Sequence, residues 1–100
     1  MKKIINGKMY NTETAQKITY WDNGLAVNDF NYCHEALFKK KTGEYFLHGD
    51  GGANSKYCKC VGNTYSGDEA IIPLTEEEAK KWMEEKATTD EYISEFGEPS

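Results

Sequence analysis

The chain reads as an α+β domain: an antiparallel β-sheet of about four or five strands with an N-terminal helix and one or two C-terminal helices. Three stretches carry this reading. Ala36-Leu37-Phe38 and Tyr45-Phe46-Leu47 are β-leaning runs that flank a polar connection ending in Gly43, the order of a β-hairpin. Thr75-Glu76-Glu77-Glu78 is a capping box, in which the Thr75 hydroxyl accepts from the amide of Glu78 and the Glu78 carboxylate reaches back. Between them lies a middle poor in helix signals, and 100 residues suit one domain over 1–100 with a small core.

Taken in order, Asn6-Gly7 is the preferred type I′ turn between Ile4-Ile5 and Lys8-Met9-Tyr10, so Ile4 is expected to oppose Met9. Thr12 reads as an N-cap with Glu13 in the first turn, and Ala15, Ile18 and Trp21 follow at helical spacing up to a stop at Asn23-Gly24. The connector 25–31 is expected to plant Val27 or Phe30 in the core. After the central hairpin, Gly49-Asp50-Gly51-Gly52 reads as a break, and Tyr57-Cys58-Lys59-Cys60-Val61 alternates as a strand ending at Gly62-Asn63. A loop through Ser66-Gly67-Asp68 leads to Ala70-Ile71-Ile72, where Pro73 either stops ladder pairing or places the run at an edge. Ala79, Trp82 and Met83 form the buried stripe of the helix opened by Thr75. Thr88-Thr89-Asp90-Glu91 starts a short second helix with Tyr92, Ile93 and Phe96 inward, closed by Gly97 and Pro99.

A charged fraction of 29% and an aromatic fraction of 13% fit a folded domain. Seven tyrosines and two tryptophans are many for the length, and exposed rings of these types anchor interfaces. No apolar run is long enough to span a bilayer, and the first residues lack the apolar core of a signal peptide. With three cysteines, an odd count that cannot close a disulfide framework, the expected setting is the cytoplasm. A formal charge of −5 argues against direct nucleic-acid binding and favours a basic surface as partner.

Cys33, His48, Cys58 and Cys60 are candidate metal ligands. If the hairpin loop is Lys40 to Gly43, Glu35 opposes His48 and Cys33 shares its sheet face, so one strand shift assembles a Cys₃His structural zinc site. A loop one residue longer or shorter places Cys33 and His48 on opposite faces, with His34 as the substitute ligand. The competing reading is that small thiols fill gaps in the sheet. For a thiol nucleophile, adjacent Cys33 and His34 point to opposite strand faces, which leaves Cys33 with His48 conceivable, with no nucleophile elbow or helix-start thiol to support it. His48-Gly49-Asp50-Gly51-Gly52 lacks the Lys-Ser/Thr of a phosphate loop, and Asp50 and Asp68 lie in no EF-hand pattern. Lys39-Lys40-Lys41 reads as a solvated hairpin tip. Acidic residues crowd the last quarter of the chain. Dipole complementarity accounts for Glu76 to Glu78, and Glu84, Glu85, Glu91 and Glu95 remain as candidate contacts to a basic protein partner.

Ile5-Asn6-Gly7-Lys8 with Tyr10 to Ala15, Glu35-Ala36-Leu37-Phe38 leading into Gly43 to Gly49, and Ile71 to Ala79 together resemble small proteins encoded by phages and mobile elements of Gram-positive bacteria. Some small acidic proteins of that setting are anti-CRISPR proteins that inhibit Cas9. The resemblance covers most of the chain and implies a non-enzymatic inhibitor that binds a Cas9-type effector stoichiometrically and blocks target DNA loading or cleavage. It carries over no functional residues, and Cys58-x-Cys60 is not part of its pattern. The alternative is a zinc-stabilised accessory protein of a mobile element with another protein partner.

Overall fold

Asn6 and Gly7 both take positive φ, 52° and 77°, and turn β1 (Lys2–Ile5) onto β2 (Lys8–Asn11) with Ile4 opposite Met9, as the Asn-Gly pair predicts. The computed structural model describes residues 1–26 and 28–98 and, at Val61, the backbone alone. Then follow β3 (Gln16–Asp22), β4 (Cys33–Lys39), β5 (Tyr45–Gly51), β6 (Lys59–Val61), β7 (Thr64–Ser66), β8 (Asp68–Leu74), α1 (Glu76–Lys86) and α2 (Thr89–Phe96). Strands β3, β4, β5 and β8 form the main antiparallel sheet in that order, and β1–β2 and β6–β7 are separate two-stranded hairpins. The α+β class is as the sequence predicts, with both C-terminal helices present.

The expected N-terminal helix is absent. Asn11 holds a single turn: its carbonyl accepts from the amides of Thr14 and Ala15, and its side chain accepts from the Glu13 amide at 2.9 Å. Thr12, the expected cap, instead accepts from the N-terminal amine at 2.8 Å. Residues from Gln16 then pair with β4, because Ile18, Thr19, Tyr20 and Trp21 are β-branched or aromatic and fit a sheet edge better than a helix. Helical spacing of Ala15, Ile18 and Trp21 loses to that pairing. A register shift between Lys17 and Thr19 turns Ile18 toward the helix side.

The sheet has two buried faces. On one, Leu37, Tyr45 and Leu47 pack under α1 through Ala79, Trp82 and Met83, with Leu74, Trp21, Tyr92 and Phe96 around them. On the other, Ala36, Phe38, Phe46 and Ile71 pack under Tyr10 of the N-terminal hairpin. The strands therefore carry near-continuous apolar runs rather than alternation. Leu37, Phe46 and Met83 are fully buried, each contributing roughly 1.5–3 kcal/mol of transfer free energy. The capping box that starts α1 is made as predicted, with Glu78 N–H donating to Thr75 Oγ1 at 3.1 Å and Thr75 N–H to Glu78 Oε1 at 2.9 Å. Strand β8 lies at the sheet edge, so Pro73 sits opposite Phe46 at that outer position.

Other expectations are revised. Gly49 to Gly51 do not break the sheet but continue β5, because the absence of a side chain at Gly49 makes room for the Tyr57 ring, which a Cβ would overlap. The loop through Ser66 contains β7, paired across Gly62-Asn63 with β6. Phe30 is 71% exposed rather than in the core, while Val27 and the expected helix stop Pro99 lie outside the described residues. Among the described residues no helix is long and apolar enough to cross a membrane.

Candidate docking surface on the C-terminal helices

The hairpin register decides the metal question. Lys39 opposes Tyr45, and the turn is closed by Lys40 N–H to Glu44 O at 2.8 Å and Gly43 N–H to Lys40 O at 2.9 Å, with Gly43 at φ 94°. The loop is thus one residue longer than Lys40 to Gly43. Ala36, not Glu35, opposes His48, and Cys33 opposes Gly51. Cys33 and His48 consequently lie on opposite faces of the sheet. His34, the substitute, is adjacent to Cys33 in the strand and so also faces away from it. Cys58 lies in the loop before β6, and exposed Cys60 sits on that outlying hairpin. Among the described residues no three His, Cys, Asp or Glu side chains come together as a metal-binding group. Cys33, His48, Cys58 and Cys60 are not gathered into one donor set in this structure.

The thiol-nucleophile pair falls with the same register. Burial, and then the Glu35 charge, push the Cys33 thiol above its ordinary pKa, the reverse of what an activated thiol needs. Both histidines face the side away from the helices, each with a carboxylate: His34 Nδ1 lies 3.2 Å from Asp50 Oδ1 and His48 Nε2 lies 3.0 Å from Glu69 Oε1.

Of the four candidate contact residues, two are committed inside the molecule. Glu91 completes a second capping box, with Glu91 N–H donating to Thr88 Oγ1 at 3.2 Å and Thr88 N–H to Glu91 Oε1 at 3.0 Å. Its other oxygen accepts from the buried Thr19 hydroxyl at 2.6 Å. The Thr19 hydroxyl and the Thr88 amide hold the Glu91 carboxyl below its ordinary pKa. Glu95, whose side chain is 13% exposed, accepts from the Tyr45 hydroxyl and pairs with Lys39 at 3.1 Å. Burial and then Glu95 raise the Tyr45 phenol well above its usual range. These two glutamates therefore fasten α2 to the sheet.

Glu84 and Glu85 are different. Both are exposed on α1, as are Glu76 and Glu77 at its start and Asp90 in the first turn of α2. Two lysines of α1 turn back onto aromatic rings, Lys86 at 3.8 Å from the Trp21 ring centroid and Lys80 at 5.5 Å from that of Phe96. Their charges are drawn against the domain, while the third, Lys81, is exposed among the outward carboxylates. Beneath this surface Trp82 and Met83 anchor α1 in the core, and the capping box fixes its first turn.

Sequence reasoning missed two features. Glu35, 1% exposed, accepts from Trp82 Nε1 at 3.2 Å and from the Tyr57 hydroxyl, and pairs with Lys56 at 2.7 Å. Its signal was present: Glu35 alternates with Leu37 and so shares the helix-side face. The second is a groove of about 260 Å³ between α1 and α2, lined by Met83, Glu84, Ala87, Tyr92 and Ile93 among others. The sequence stripe assigned Ile93 inward, but no α2 side chain is fully buried, and Ile93 borders this opening.

The fold and surface together describe a small acidic α+β domain with an outward-facing set of carboxylates on its C-terminal helices. No protein-family model, no curated protein and no solved structure matches the chain.

Proposed function

We propose that the protein acts by occupation: it binds a Cas9-type effector stoichiometrically and blocks target DNA loading or cleavage, within the bacterial host cell and without catalysis. The partner class comes from the resemblance of the hairpin and capping-box stretches to small phage and mobile-element proteins. The observation that supports a docking role is the outward set Glu76, Glu77, Glu84, Glu85 and Asp90, which outweighs the one exposed lysine of the two helices, Lys81, while the inward charges are engaged within the domain. Effectors of this type hold guide and target in positively charged channels, so an acidic protein gains both steering and register by docking there. Protein contact without direct nucleic-acid contact follows from the same sign of charge.

Purified chain titrated into Cas9-type proteins from Gram-positive hosts, with target cleavage as readout, tests this reading. Inhibition with a sharp break at equimolar protein supports it. No inhibition of any such effector, or inhibition far below equimolar amounts, overturns it.

A further inference from the structure

The groove between α1 and α2 has the size and lining of a receptor for one side chain. Only Ala87 and Thr88 join the two helices, both in extended backbone, at φ −94° and −79°. The opening at this corner is floored by buried Met83 and walled by Ala87, Tyr92 and Ile93. At about 260 Å³ it falls below the roughly 300–1,000 Å³ typical of small-molecule sites. Its walls are apolar apart from threonine hydroxyls and one carboxylate, Glu84, and no cation lines it. Glu84 is thus the one charge in the lining; elsewhere on the two helices Glu85, Asp90 and Lys81 are exposed, and Lys80 and Lys86 are held against Phe96 and Trp21. An apolar slot with a carboxylate at its edge and no cation in its lining is complementary to an apolar residue flanked by lysine or arginine.

We infer that this groove receives an apolar anchor side chain from a basic amphipathic segment of the protein partner. The inference rests on the proposed docking role and names the chemistry of its contact. An anchor seated in such a slot matches the way interface energy concentrates in a few desolvated side chains. Glu84 at the edge sets orientation and disfavours acidic competitors.

The test uses the full chain with ¹³C-labelled methyl groups and a synthetic helical peptide of leucine and lysine. Two control peptides carry serine for leucine or glutamate for lysine. The leucine–lysine peptide alone is expected to shift the methyl signals of Met83, Ala87 and Ile93. Glu84→Lys and Thr89→Arg, both at exposed positions and so compatible with the fold, should weaken that binding about tenfold. Absent shifts, shifts confined to other methyls, or equal binding of either control overturns the groove assignment. The effector assay separates it from the broader reading. Thr89→Arg with full inhibitory potency, beside a weakened Glu84→Lys/Glu85→Lys double variant, removes the groove and leaves acidic docking standing. If the wild-type chain inhibits no effector, the docking role is lost and the peptide titration alone decides the groove.

Discussion

Trp82 Nε1 donates to Glu35 Oε1 across 3.2 Å, joining the middle of α1 to the middle of β4 through a carboxylate that solvent barely reaches. The Tyr57 hydroxyl donates to the second oxygen, so the loop before β6 is fastened to the same point. Burial alone would raise the Glu35 pKa, but the bonds from Lys56, Tyr57 and Trp82 outweigh it and hold the carboxyl below its ordinary value. Burial and Glu35 push the Tyr57 phenol far above its usual range.

Removing Glu35 leaves two buried donors without an acceptor. Glu35→Ala is expected to cost about 3 kcal/mol in urea denaturation. Lys56 is 60% exposed, so Lys56→Ala should cost less than about 1 kcal/mol. Equal losses from the two variants would contradict the assignment of the neutral donors as the main partners.

The attachment of α2 depends on Glu91 and Glu95. Glu95→Ala frees the buried Tyr45 hydroxyl and Lys39, and should destabilise by about 1–2 kcal/mol. Amide exchange in α2 should accelerate more than in α1, because Trp82 and Met83 hold α1 independently. Uniform acceleration throughout the chain would show that α2 is not a separately fastened element.

Acid should unfold the protein through carboxylates whose folded pKa is depressed. Glu44 is held at about 2 by Lys8, Lys40 and Thr42, and Glu35 and Glu91 are also lowered. A depressed folded pKa contributes stability that is complete above the unfolded value of about 4.3 and is lost as pH falls toward the folded value. Stability measured by urea should therefore decline from about pH 4.5 downward, and less steeply in Glu44→Gln. An identical slope in the variant would contradict the Glu44 contribution.

Because Cys33 and His48 occupy opposite faces, a chelator should leave the melting temperature unchanged. A fall of several degrees, with zinc found by elemental analysis, would show that the thiols and imidazoles assemble after all.

Local signals carried much of the fold into the sequence. Asn6-Gly7 and the box from Thr75 to Glu78 specify their geometry through residues a few positions apart, and both are made as read. The segment from Thr12 to Asp22 fails for the opposite reason. Its helical spacing is real, but an edge position beside β4 rewards Ile18, Thr19, Tyr20 and Trp21 as a strand, and that partner lies far along the chain. Register is harder still. The loop between β4 and β5 differs from the expected one by a single residue, which is enough to send Cys33 and His48 to different faces and dissolve the metal site. Among the acidic candidates, composition cannot distinguish a carboxylate turned outward from one bonded inward. Glu84 and Glu91 look alike until Thr19 and the Thr88 amide are found beside the latter.

That distinction fixes the decisive measurement: the Glu84→Lys/Glu85→Lys double variant, titrated against a Cas9-type effector that the wild-type chain inhibits. Both positions are exposed on α1, so the melting temperature should stay unchanged. The predicted result is a large loss of potency that deepens with added salt, as expected of screened surface charges. Undiminished potency at every ionic strength would contradict docking through this acidic surface.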